Sequence, residues 1–331
     1  MLVRKFSYSL LFLAVVATNA LVPDVRSQSS LKKLRLGIAA TSVGFLPIYA
    51  AHQRGFFRDE GIDLEIILMS LAAANNAFFK GEIEYSAGLT GLAAAAVRNY
   101  PAKILIFTVA KPLQSLISRK EIKEPRELRG KKIAGSTPGG SATILAHQAL
   151  RHFGLEAGKD VTVAPVGGTG AARLAVLEQG LVDASLLSVP ENIIALQRGY
   201  NELIFVGDIV TFPQNGFGTS MNRIQQQPDE VYRMIRATLR GLTYVMDDAN
   251  RDQAREIMMK QWRMSDAKLA VETLAYLKRG LAKDAVISPE GVQFFIDLTR
   301  ETAKIEQPIS AAQVVDFSFL ERARKDLGLV R

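Results

Sequence analysis

The residues of this sequence that could do chemistry sit in glycine-rich turns between apolar runs. Gly135 to Ser141 (GSTPGGS) sets hydroxyls and glycines between a strand and a helix start. Such a turn donates several N–H and O–H groups to an anion. It also suits a plain strand-to-helix connection. It lacks the Gly-Lys-Ser/Thr ending of a phosphate-cradling loop, and no G-x-G-x-x-G follows the first strand, so nucleotide hydrolysis and dinucleotide binding are unsupported. Ser86 to Gly91 (SAGLTG) has a similar form. Gly167 to Gly170 (GGTG) serves either an anion or close packing of helix on strand. Ser42-Val43-Gly44, with Pro47 opening a helix, is a further way of pointing free backbone N–H groups at a ligand. Glu191, after Ser188-Val189-Pro190, falls in a first helical turn, where the dipole favours an acid whatever its function.

Catalytic groupings are missing from this pattern. Ser136, Ser141 and Ser188 have no evident His and Asp partners, and no G-x-S-x-G elbow occurs. Lys111 suits a Schiff base or a stem snorkelling at a domain crossing. Asp247-Asp248 reads as a solvated turn. There is no cysteine, which excludes disulfides, thiol nucleophiles, Cys-type zinc sites and a lipidated-Cys anchor. His147 and His152 lie five apart, not the three or four that set two ligands on one helical face. The expectation is a protein that is not an enzyme and holds neither metal nor cofactor.

The elements that must position these turns alternate. Leu34–Ala40, Asp63–Met69, Glu84–Ala87 and Lys103–Ala110 read as strands, with helices over Pro47–Gln53, Leu71–Lys80 and Leu92–Tyr100. That β-α order predicts a doubly wound sheet with helices on both faces. Lys111–Arg119 can be extended. A second series follows, with strands at Lys131–Ala134, Asp160–Pro165, Val182–Leu187 and Glu202–Val206, and helices at Ala142–Phe153, Ala171–Gln179 and Pro190–Gln197. From Met221 onward helical periodicity dominates. Val231, Ile235, Leu239, Leu242 and Met246 form one apolar stripe. The whole predicts two α/β lobes, with the second inserted in the chain. Lobe 1 takes 34–112 and 216–331, lobe 2 takes 113–215, and two crossings near 110–116 and 206–218 join them.

The chain has 331 residues, 48% hydrophobic and 22% charged, an ordinary globular balance. Arg4 and Lys5, the apolar run Leu10–Ala17 and small residues near Ala20 or Ser27 read as a secretory signal peptide over residues 1–27, cleaved at 20 or 27. The apolar run is well short of the roughly 20 residues that span a bilayer. The net charge of +8 is spread among mixed charges, without basic clusters interleaved with aromatics, so nucleic acid is not an expected partner.

Four segments carry a family resemblance: GFLPIYAAHQRGFFRDEGIDLEI, ELRGKKIAGSTPGGSATILAHQAL, ARLAVLEQGLVDASLL and PDEVYRMIRATLRGL. In these the chain resembles the NMT1/THI5-like solute-binding proteins of ABC importers, which include sulfonate, taurine, nitrate and thiamine-precursor binders. The resemblance implies a type II periplasmic-binding fold, each lobe a mixed sheet flanked by helices, closing on ligand by hinge motion. It implies a monomeric periplasmic protein with a small-molecule ligand and an inner-membrane permease as partners. Ligand contacts of the family fall here on Ser42, Val43 and Phe45, on Gly88, Leu89 and Thr90, on Ser136, Gly139, Gly140 and Ser141, and on Ser188. Asn215 in the returning crossing is a further candidate.

Two departures bear on the ligand. Many members carry an aromatic residue and an acid just before the proline that is Pro190 here, where this chain has Leu187, Ser188 and Val189. The candidate loops also lack arginine. The expected ligand is therefore a small organic molecule, neutral or weakly anionic. One alternative is an enzyme resembling the pyrimidine-precursor synthase of the THI5-like branch, whose cysteine motif and histidine this chain lacks. Another is a periplasmic sensor or docking domain on the same fold.

Overall fold

The computed structural model describes residues 31–38, 42–136, 140–166 and 169–330. The expected leader, Gly139 and Gly167-Gly168 lie outside the described residues. In chain order the strands are β1 (Lys32–Ile38), β2 (Ile62–Leu68), β3 (Tyr85–Ser86), β4 (Ala102–Val109), β5 (Gln114–Ser118), β6 (Lys132–Gly135), β7 (Thr162–Pro165), β8 (Ala184–Ser188), β9 (Asn201–Phe205) and β10 (Gln214–Ser220). They form two five-stranded sheets, in the orders β2-β1-β3-β10-β4 and β7-β6-β8-β5-β9. β1 pairs in parallel with β2, from Lys32 opposite Ile62 to Ile38 opposite Leu68, and with β3. β10 runs antiparallel to β3 and β4. In the second sheet β6 is parallel to β7 and β8, and β5 is antiparallel to β8 and β9. Both sheets are thus mixed.

The main departure from the sequence reading is β10, which occupies part of the expected second crossing. Glycine has low strand propensity, and Gln214–Ser220 (QNGFGTS) therefore reads as a connection. Tertiary packing requires those glycines. A β-carbon on Gly216 would stand 2.0 Å from Ile106 O, and one on Gly218 2.2 Å from Lys103 O. Gly216 has φ +135°, and the register with β4 shifts at Phe217/Gly218, as in a bulge.

β4 is buried on both sides because its sheet is covered on both faces. Leu34, Leu36, Leu105 and Val109 meet the helices Leu46–Gln53 and Pro228–Met246 in one core. Ile104 and Phe107 meet the helices Leu89–Ala96 and Pro289–Thr302 in another. The stripe on Pro228–Met246 faces inward as expected, with Val231, Ile235, Leu239 and Leu242 fully buried. Gly241 lets this helix approach Leu46–Gln53, since a β-carbon there would lie 2.2 Å from Pro47 O.

The helix Ala267–Gly280 ties the C-terminal region to both sheets. Its end accepts Ala110 N–H and Lys111 N–H at Gly280 O, 2.8 and 3.2 Å, on the first crossing. On the second sheet's side Tyr276 Oη lies 2.8 Å from Ser115 Oγ and also bonds Glu202, and Gln197 Nε2 donates to Glu272 at 2.8 Å. Among the described residues no helix is long and apolar enough to cross a membrane.

Candidate functional site

A cleft of about 650 Å³ lies where residues from both sheets meet. In open α/β sheets the carboxyl ends of the parallel strands form the ligand-binding edge. Ser42 follows β1, Gly88 follows β3 and Ser188 ends β8. Gln114 and Asn215 belong to the antiparallel strands β5 and β10, so the starts of those strands reach the same edge. The topology alone thus gathers five separate chain segments at one place.

Of the residues expected at the site, Ser42, Val43 and Phe45 line the cleft, as do Gly88, Leu89 and Thr90, Ser141, Ser188 and Asn215. The short turn Val43–Phe45 is held by Ser42, whose Oγ accepts Gly44 N–H at 3.2 Å. Asn215 packs against this turn: its Oδ1 would stand 2.3 Å from a β-carbon on Gly44. Asn215 adopts φ +51°, a left-handed conformation that asparagine tolerates better than most residues. The helix expected from Leu92 begins at Leu89, because Gly91 fits within its first turn against the Asn75 amide. Leu89 and Thr90 are therefore first-turn residues, whose amides have no intrahelical acceptor.

The loop after β6 is divided. Ser141 opens the helix Ser141–His152 and faces the cleft, while Gly140 lines an adjoining groove with it. Ser136 lies behind. Its Oγ accepts Thr143 N–H at 3.3 Å and its carbonyl accepts Thr143 Oγ1 at 2.8 Å, bonds that hold the helix to β6. Thr169 and Gly170 of the fourth turn line the cleft too. Lys111 is exposed, and Asp248 pairs with Lys278 at 2.8 Å.

The sequence reading missed the C-terminal contribution. Trp262 ends the helix Arg251–Trp262, Arg263 turns the chain with φ +52°, and Met264 follows, so that Trp262 and Met264 reach the cleft together. Trp262 packs edge-on to Tyr49 at 5.5 Å. Phe212 and Phe295, 5.7 Å apart, close another wall. The one available signal was composition: Trp262 is the sole tryptophan, a residue type that favours partly apolar sites with one polar contact.

Glu191 also lines the cleft, and among the described lining residues it is the one with an ionisable acid or base. Burial raises its carboxyl above the ordinary carboxylate range, offset in part by its own backbone N–H and by Arg173. Arg173 is 6% exposed and donates Nε–H to Leu186 O at 2.8 Å, with burial lowering its pKa. Gly170 leaves room for the acid, since a β-carbon there would stand 2.7 Å from Glu191 Oε2. Next to it Asn192 is fully buried and donates to Ser115 Oγ at 3.2 Å, which fixes the helix start against β5. Gln114 Oε1 is buried without a hydrogen-bond partner. The cleft therefore combines a mainly apolar lining in which Trp262 is the partly exposed aromatic ring, scattered hydroxyls and amides, and one acid.

Comparison with known proteins agrees with this fold. Residues 42–251 match the family model described as NMT1/THI5 like. The riboflavin-binding protein RibY of Chloroflexus aurantiacus is 24% identical over 258 residues, 74% of this chain and 70% of RibY. Among solved structures, the sulfonate-binding protein SsuA of Methylobacillus flagellatus superposes with TM-score 0.72 at 16% identity, over 91% of this chain and 96% of that one. The nitrate-binding protein NrtA of Synechocystis gives 0.70 at 16%, over 91% and 90%. The desulfurization enzyme DszB gives 0.66 at 16%, over 89% and 99%, so the same fold also carries an enzyme.

Proposed function

The chain belongs to the NMT1/THI5-like family, and from that premise we propose that it is an exported solute-binding protein serving an ABC importer. It acts as a monomer in the periplasm, closes its two lobes over a small organic solute and docks on an inner-membrane permease. The lobes are 34–112 with 216–331 and 113–215, moving about the crossings between the sheets. The part of the solute held in the cleft is an uncharged ring system with a hydrogen-bond donor for Glu191.

The observation that carries this reading is the lining itself. Trp262 and Met264 are partly exposed apolar residues of the lining, Phe45 and Phe295 show only 4% and 2% of their surface, and the acid is not accompanied by a cleft-lining cation. A carboxylate in a partly desolvated wall repels an anion at close range. Nitrate and simple sulfonates therefore fit this cleft poorly, and a heterocycle with N–H groups fits it well. The resemblance to RibY supports the same direction. Serine, threonine and asparagine groups around the cleft bind and orient a solute.

A screen tests it. Melting temperature and Trp262 emission are followed with flavins, pyrimidines, aromatic acids, alkyl sulfonates and nitrate. Because Trp262 is the sole tryptophan and lines the cleft, a solute entering there changes its emission. Solute at ~100 times its Kd adds about 2.7 kcal/mol of stability. Nitrate or a simple sulfonate as the tightest binder would refute the ring reading, and turnover of a solute would refute the binding-protein reading.

A further inference from the structure

We propose that the solute is bipartite, and that a groove leading off the cleft is a second binding subsite for an anionic chain that ends at Arg98. This rests on the ring-binding reading of the cleft given above and extends it.

The groove encloses about 520 Å³, nearly as much as the cleft. The two share Thr90, Ser141, Phe212 and Phe295 in their linings, so the groove adjoins the cleft across these side chains. One wall is a single face of the helix Leu89–Ala96 and the turn after it, where Thr90, Ala94 and Arg98 recur at the four-residue spacing that aligns side chains. Leu298, Thr299 and Ala303 form the facing wall. A ligand as small as nitrate would leave most of this space to water, whereas a ring with a chain attached would use both parts.

Charge assigns the ends. The cleft carries the acid Glu191, and Arg98 is the only ionisable side chain lining the groove among the described residues. Arg98 donates to two carbonyls, Ala94 O at 3.1 Å and Ala303 O at 3.3 Å, one from each wall. A guanidinium has five N–H donors, so these two bonds leave capacity for a further acceptor. Both partners are neutral, and Asp297, on the helix Pro289–Thr302, is engaged by Arg300 at 3.7 Å. An acid at one end and a guanidinium at the other give the solute a direction: the donor-bearing ring toward Glu191, the anionic end toward Arg98. Thr90 and Ser141 offer hydroxyls to a chain between them, while Thr299 Oγ1 donates to Phe295 O at 2.8 Å.

Three probes that share one ring separate the parts: lumichrome without a chain, riboflavin with an uncharged chain, and riboflavin 5′-phosphate with an anionic one. Calorimetric titration of the purified protein is expected to rank the phosphate tightest, about tenfold tighter than riboflavin, and lumichrome weakest. Arg98→Gln is expected to abolish the advantage of the phosphate while leaving riboflavin and lumichrome unchanged. Ala94→Phe, which fills the groove, is expected to weaken both chain-bearing probes and spare lumichrome. Circular dichroism of each variant controls for folding. If lumichrome binds as tightly as the others, or the phosphate advantage survives Arg98→Gln, the groove proposal is wrong and the ring reading stands. If none of the three binds while a sulfonate or nitrate does, both readings fall together.

Discussion

Replacing Glu191 with glutamine should move binding and stability in opposite directions. The side chain keeps its shape and loses its charge. A hydrogen bond to a charged group contributes about 1.5–3 kcal/mol and one between neutral groups about 0.5–1.5 kcal/mol. The difference of about 1.4 kcal/mol corresponds to roughly tenfold weaker binding of an N–H-donating ring at pH 7.5. Stability goes the other way. Burial raises the folded carboxyl above its reference value of 4.5, so between the unfolded and folded values the native state binds more protons. By linkage the ligand-free fold loses stability as pH rises through that window, and above it the ionised acid carries the full penalty. Glu191→Gln removes that penalty, so the empty variant should melt higher than wild type at pH 7.5. The two should converge below about pH 4.5, where the acid is neutral folded or unfolded. Calorimetric titration with the best compound of the screen at pH 5 to 8 reads the first effect, and melting of the ligand-free proteins over pH 4 to 8 reads the second. Unchanged affinity at pH 7.5, or a variant less stable than wild type there, would show that Glu191 is a structural first-turn acid with no part in binding.

The remaining predictions concern the frame around the site. Glu230 is buried; burial alone would raise its carboxyl, but Lys32 and Arg223 at 2.6 Å and Tyr85 at 2.9 Å hold it below the ordinary range. Its stabilisation is full above the unfolded value of 4.5 and is lost as pH falls through the depressed folded value. Glu230→Gln should therefore cost about 3 kcal/mol at pH 7, the low end for a broken buried pair because both cations keep some water. The gap should close in acid, as thermal melts against pH will read. Gly241→Ala should cost about 1–3 kcal/mol in denaturant titrations by forcing two helices apart, with the cleft residues untouched. Ser136→Ala should lower stability by about 1 kcal/mol with little change in solute affinity, because its Oγ accepts Thr143 N–H. Ser141→Ala should weaken solute binding with little effect on the melt.

Most of the fold was legible in order and kind. Apolar runs flanked by glycine located β4, β6 and β8 to within a few residues, because those strands are mostly buried and need no partner to look like strands. β10 was hidden because its residues are chosen for what they avoid: at Gly216 and Gly218 any side chain would meet the backbone of β4. The glycine turns at Ser42, Gly88 and Ser141 were visible, since a turn that offers backbone donors has a local composition. Ser136 could not be told from Ser141 locally. Only the packing of the helix Ser141–His152 on β6 turns one hydroxyl inward to Thr143 and leaves the other facing the cleft.

By itself the sequence determined which segments alternate, that no thiol or paired histidines were available for catalysis, and that the cleft loops carry no cation. These follow from residue types and short spacings. The tertiary structure decided what the loops face. It brought Trp262 and Met264 from a distant helix end, set Glu191 beside a glycine that leaves it room, and placed a groove lined by Arg98 next to the cleft. The physical reason is that a ligand site is an arrangement in space of residues far apart along the chain, and local patterning carries information only about neighbours.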